Sequence, residues 1–351
     1  MTHPSNKRFV TVVAVAALLA GCSGNTQSAL SPTQSLPASS HHMVTIAGRT
    51  VLSPVSRPGS LVVHAATGKS WIKPDAGTKS KALLYVSNVG NATVSIFRYT
   101  DGNNTKLVGT LTGFATPYAP CSDTAGNVYI PDYSNSDIVE YAYGATTPTQ
   151  TIADPNGFPT NCSVDPKTGN LAVANFGAGN FGVYTGNTGT PTTYTVSNLT
   201  NPEFVGFDNN SNLYINGFGN GTDWQLAVLP SGTTTPEAMT VSGANTYFAG
   251  GVQWGGSYLL VGDQGSYDVT TSFIDQISVS GTTGTIVNQI SLAGTTDAIS
   301  IPKRGSVPLA TAAGGDYATS GGYSWGFPSG TQQSTFSGLD FPFGATFAQK
   351  R

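Results

Sequence analysis

Leu84-Tyr85-Val86-Ser87-Asn88 returns, with changes, as Val128-Tyr129-Ile130-Pro131-Asp132 and Leu171-Ala172-Val173-Ala174-Asn175. Later copies read Leu213-Tyr214-Ile215-Asn216-Gly217, Leu259-Leu260-Val261-Gly262-Asp263 and a worn Val307-Pro308-Leu309-Ala310-Thr311. The central residues Val86, Ile130, Val173, Ile215, Val261 and Leu309 stand about 42 to 48 residues apart, the period of a propeller blade. Gly126-Asn127, Gly169-Asn170 and Ser211-Asn212 precede three of the copies. Such pairs turn a chain between antiparallel strands. In the second unit, Cys121-Ser122 before the turn and Val128 to Pro131 after it are followed by Asp137 to Tyr141 and Thr149 to Ile152. Four short strands per unit is the pattern of a β-propeller blade. A β-helix needs a shorter period, helical solenoids need amphipathic helices, and a sandwich leaves the repetition unexplained.

The chain enters the first unit at its second strand, Leu83 to Ser87, and finishes on Pro342-Phe343-Gly344-Ala345-Thr346-Phe347. That ending resembles Pro202-Glu203-Phe204-Val205-Gly206-Phe207, an inner strand with its successor missing. The reading is an all-β, six-bladed β-propeller with four-stranded blades, closed by the C-terminal strand completing the first blade, which removes the open edges.

Composition agrees. Only 9% of the 351 residues are charged, against roughly a quarter in an ordinary soluble domain. That scarcity removes coiled coils and long amphipathic helices. A net charge of -3 with 15 Lys+Arg leaves no basic footprint, so no nucleic acid is expected as a partner.

Residues 1–22 read as a lipoprotein signal peptide. Lys7 and Arg8 precede an apolar run from Phe9 to Ala20, and Leu19-Ala20-Gly21-Cys22 matches the bacterial lipobox. Cys22 is the expected lipid-attachment residue, and acyl chains on it anchor the protein to the membrane. Ser23 follows, where Asp would signal inner-membrane retention, so the expected address is the cell envelope, on the outer membrane where one exists. Residues 23–42 read as a disordered tether, 43–80 as an N-terminal arm, and 81–351 as the propeller.

The Gly-Asn-(Val/Leu)-Tyr-(Val/Ile) phrase with a following Asp or Asn resembles bacterial propellers of the NHL and SMP-30/gluconolactonase-like group. Ser70-Trp71-Ile72, Pro74-Asp75-Ala76 and Leu83 to Ser87 more specifically resemble exported lipoprotein propellers of soil bacteria. The resemblance covers roughly residues 70–349 and speaks to fold more than activity.

Two cysteines remain after Cys22. Aligning Pro117 with Pro159 and Asp123 with Asp165 puts Cys121 and Cys162 one position out of phase in adjacent blades. Side chains alternate faces along a strand and neighbouring blades present opposite faces, so an odd offset suits an inter-blade disulfide in an exported protein. Two buried free thiols are the plainer alternative. His3, His41, His42 and His64 all precede the repeats, which argues against a Ser-His-Asp triad or a His-ligated zinc in the propeller. The streptogramin-lyase type of propeller depends on histidine, and the sequence departs from it there.

A divalent-metal lactonase of SMP-30 type would use Glu, Asp and Asn oxygens at the tunnel mouth, with calcium or another divalent cation. Glu203 and Asn161 begin inner strands, and Gln253 and Trp254 lie on another. These four are the candidate ligand-binding residues, although an aromatic there more often packs between blades. Asp132, Asn175 and Asp263 recur at second-strand ends, where capping of turns by short side chains is the plainer role. The leading expectation is a monomeric, non-catalytic binding scaffold without a cofactor, engaging a protein or small-molecule ligand; the metal-dependent hydrolase is the rival.

Overall fold

A computed structural model describes residues 43–46, 49–52, 68–79, 82–99, 106–219, 224–265, 271–293, 296, 298–304, 307–308, 311–316 and 321–349. Cys22, the signal segment and the tether lie outside the described residues.

The protein is a β-propeller. Five antiparallel blades carry the repeated phrase as their second strand: Ala82–Asn88, Val128–Asp132, Leu171–Asn175, Leu213–Phe218 and Leu259–Asp263. Every residue of these strands is buried. Neighbouring blades cover both faces, so the strands read as unbroken runs of apolar and small residues rather than as alternation. The inner strands are, in order, Pro342–Gln349, Cys121–Ser122, Pro159–Val164, Asn201–Phe207 and Ala249–Trp254.

The recurrence marks five blades, not the six expected from it. Val307–Pro308 is no second strand; it forms a two-stranded ribbon with Lys303–Arg304. Between the fifth blade and the first stands a smaller sheet in the order Ile299–Ser300, Thr311–Asp316, Gly321–Gly326 and Gln332–Phe336. Its second strand is Thr-Ala-Ala-Gly-Gly-Asp, which has no large apolar residue to announce a strand. Close packing accounts for the small residues. A Cβ on Gly314 would sit 2.5 Å from Thr296 Cγ2 and 3.1 Å from the Ala298 carbonyl oxygen.

The C-terminal strand pairs antiparallel with the first blade's second strand, Gly344 opposite Ser87 and Phe347 opposite Leu84. The first blade is thus made from both ends of the described chain. Trp71–Ile72 adds a fifth strand to its outer edge against Lys106–Leu111, so part of the expected arm belongs to the blade. The fifth blade also gains a strand, Thr240–Ser242, which pairs in parallel with Thr283–Ala293.

Deleting residues 342–351 should unfold or aggregate the protein. The deletion exposes the edge of Ala82–Asn88 and removes the buried Phe343 and Phe347. One such aromatic contributes about 3–5 kcal/mol. Melting temperature and elution volume check this; a truncated chain that melts and elutes as the intact one does would contradict ring closure by this strand.

Candidate functional site

The inner strands run from an end packed with aromatic rings to an end that opens into a cavity. At the first end, Pro159-Thr160 and Pro342-Phe343 begin their strands and Pro202-Glu203 follows Asn201, each with a shift of pairing register that skips the residue after the proline. Proline donates no hydrogen bond, which suits a position where the ladder is interrupted. Phe343 packs tilted against Tyr118 with ring centroids 4.2 Å apart, and Tyr118 stacks on Tyr133 at 5.0 Å. Phe343 also lies 6.5 Å from Phe204. Phe343 belongs to the first blade and Phe204 to the fourth, so these rings meet across the axis. Phe176, Phe218, Phe248 and Phe341 join the same apolar cluster. This end of the axis is plugged.

Glu203 is therefore not at an open tunnel mouth. It is 2% exposed, and its Oε2 is buried with no hydrogen-bond partner among the described residues. Burial pushes its carboxyl well above the ordinary carboxylate range, because desolvation disfavours the charged form. The sequence places Glu203 at the start of an inner strand correctly, but the aromatic cover comes largely from loops outside the repeated phrase.

The opposite end holds a cavity of about 910 Å³ lined by the C-terminal halves of the inner strands and by Thr124, Pro166 and Asn209 from the hairpins that follow them. Asn161 and Gln253 line it; Glu203 and Trp254 do not. Trp254 is half-buried and packs against the axial apolar cluster, the packing role expected for an aromatic on an inner strand. Cys121 and Cys162 form a disulfide between the second and third blades, with Cα atoms 5.4 Å apart, and both residues border the cavity.

The amides in this cavity hold the ring together. Asn161 Nδ2 donates to the Ala119 carbonyl at 3.3 Å, and its Oδ1 accepts the Val205 N–H at 2.9 Å. One side chain thereby links three successive blades. Gln253 Nε2 donates to the Ile301 carbonyl at 2.6 Å, while Ile301 N–H donates back to Gln253 Oε1 at 2.9 Å. Ser163 Oγ accepts the Phe207 N–H, Ser300 Oγ accepts the Phe347 N–H, and Ser122 Oγ donates to the Phe347 carbonyl. Asn216 Nδ2 donates to the Gly250 carbonyl and ties the fourth blade to the fifth. There the backbones almost touch: a Cβ on Gly206 would lie 2.6 Å from the Val252 carbonyl oxygen.

The recurrent carboxylates are engaged in the same way. Asp132 accepts the N–H groups of Ala115 and Thr116 at 2.8 and 2.7 Å. Asp263 accepts those of Tyr247, Phe248 and Gly265. Each holds the loop that enters its own inner strand. Burial raises both carboxyls, and the donated N–H groups oppose that rise. Asp123 and Asp208 each accept two N–H groups within their hairpin, together with the amide of Asn127 or Asn212. Among the described residues no three His, Cys, Asp or Glu side chains are grouped so as to hold a metal ion. Glu203 and Asn161 do not make a metal-ligand set with these carboxylates, because the Asn161 oxygen and the recurrent Asp oxygens already take main-chain donors.

Two measurements follow from this arrangement. In the denatured, unreduced protein Cys121 and Cys162 should not titrate as thiols; free titration of both would refute the bridge. With a sequence separation of 41 residues, the bridge contributes on the order of 4 kcal/mol in the chain-entropy model, so reduction should lower the melting temperature. Glu203 gives a pH signature. Its folded pKa lies above its unfolded value, so its stabilising contribution is complete below the ordinary carboxylate range and declines as pH rises toward the folded pKa. Within that window wild type should lose about 1.4 kcal/mol per pH unit relative to Glu203→Gln. Parallel stability-against-pH curves for the two proteins would show that Glu203 is not buried as described.

No protein-family profile and no curated protein matches this chain. Solved structures do resemble it. A chain from a crystal structure of a nidogen/laminin complex superposes with a TM-score of 0.62 at 15% identity, covering 77% of this chain and 99% of its own. Hydrazine synthase of Kuenenia stuttgartiensis superposes with a TM-score of 0.50 at 11% identity, covering 73% of this chain and 75% of its own. Identities this low show shared fold alone, and the fold they share with this chain is the β-propeller.

Proposed function

We propose that the protein is a non-catalytic binding scaffold, anchored through lipidated Cys22 to the cell envelope and presenting its propeller outside the cytoplasm. We group it with the NHL and SMP-30-like propellers on the sequence phrases. The observation that carries the non-catalytic reading is the use already made of the polar groups around the axis. Asn161, Gln253, Asp132 and Asp263 are bound to main-chain atoms of their own or the neighbouring sheet. Using one of their oxygens as a general base or a metal ligand would compete with the main-chain N–H that it already accepts. The nidogen/laminin likeness supports a protein partner, because that propeller was solved within a protein complex.

Fractionation and assay test the two halves separately. Wild type should enter the membrane fraction and incorporate labelled palmitate, whereas Cys22→Ala should be released unlabelled. A membrane-bound, labelled variant would refute the anchor. Adding calcium to the purified protein should leave its melting temperature unchanged, and no sugar lactone should be hydrolysed with or without divalent cation. Stabilisation by several degrees together with metal-dependent hydrolysis would establish the rival enzyme instead.

A further inference from the structure

We propose that the cavity at the hairpin end of the axis is a binding site for an uncharged oligosaccharide, held without turnover; this adds a ligand to the scaffold and rests on its non-catalytic reading. The cavity's volume of about 910 Å³ lies in the range of small-molecule sites. Among the described residues its lining includes no Lys, Arg, His or Glu, and the one carboxylate among them, Asp123, spends its oxygens on its own turn. A charged ligand would lose its hydration and gain no counter-charge from these residues, so the described lining favours neutral molecules.

The remaining hydrogen-bonding capacity points to the ligand class. Ser163 and Ser300 accept main-chain N–H groups through Oγ and each keeps its own O–H to donate. Asn161 and Gln253 each spend one amide N–H on a carbonyl and keep the second. These four donors line the cavity from three different sheets, the third blade, the fifth blade and the closing sheet, so they do not lie along a single strand. Valine and isoleucine residues, Val205 and Ile299 among them, line the same cavity. A saccharide carries hydroxyl and ether oxygens around its whole perimeter and C–H faces between them. An extended peptide presents its polar groups along two edges only, and so fits donors on three sheets less well.

Calorimetric titration of the full chain tests this with cellotriose, maltotriose and chitotriose as neutral probes, trigalacturonate as the charged one and an uncharged Gly-Ser hexapeptide. At least one neutral trisaccharide should bind with a Kd below about 1 mM, and trigalacturonate should not. A Thr124→Trp/Asn209→Trp variant blocks the rim from two turn positions. It should weaken that binding at least tenfold with an unchanged melting temperature. Absence of binding by all three neutral probes, equal binding of trigalacturonate, binding of the peptide alone, or undiminished affinity in the rim variant would each overturn the proposal. Recovery of the bound trisaccharide in cleaved form would uphold the site and overturn the non-catalytic reading, so the two conclusions fail separately.

Discussion

Every inner strand of a propeller has one edge that no other strand covers. That edge faces the axis, where its N–H and C=O groups are shielded from bulk water and still need partners. In this protein short polar side chains from the neighbouring sheets supply them. Asn161 spans three blades, Gln253 grips both main-chain groups of Ile301, and Ser122, Ser163 and Ser300 take one group each. Asn216 completes the junction between the fourth and fifth blades. The contacts run from blade to blade around the axis, so the ring is held at its narrowest radius, where a small displacement at one junction is shared by all the others.

This requirement shapes both ends of the axis. Where the loops enter the inner strands, the chain fills the space with aromatic rings, and Phe204 and Phe343 meet across it. Where the hairpins leave, the clamp residues need lateral room and a cavity remains. Glu203 is the exception within the plug, at a register break equivalent to those holding Thr160 and Phe343. Its buried, unpartnered oxygen opposes folding unless the group is protonated. Glu203 is thus a polar side chain in an otherwise aromatic plug whose Oε2 finds no partner among the described residues.

The second strands and their turns are legible from sequence for a physical reason. A strand covered on both faces reads as a near-continuous apolar run, which outside the fourth blade ends here on an Asn or Asp side chain that bonds nearby groups. A two-strand corner closed by an Asp accepting main-chain N–H groups leaves Asp123 and Asp208 four residues before Asn127 and Asn212. The closing sheet escapes notice because Gly314 and its small neighbours replace the apolar signal. Asn161 and Gln253 are readable as polar residues facing the axis, but not as clamps. Their partners are main-chain atoms more than forty residues away, and main-chain atoms carry no sequence signal. The sealing of the Glu203 end is hidden similarly, since Phe176, Phe248 and Phe341 sit at loop positions that the repeat does not specify.

The scarcity of charge is a consequence of the same geometry. A junction between blades is buried, and a charged side chain placed there must lose its hydration for a partner that is only a peptide dipole. Ser, Thr, Asn and Gln offer hydrogen bonds of fixed, short reach at far smaller desolvation cost, and they dominate the clamps. A charge pair is found away from the axis: Arg98 reaches Asp75 at 3.3 Å on the outer side of the first blade, with side chains 18% and 41% exposed, where such a pair contributes about 1 kcal/mol at most. A ring closed by neutral hydrogen bonds at its centre has little use for ion pairs, and the axial cavity inherits that neutrality from the clamps that build its wall.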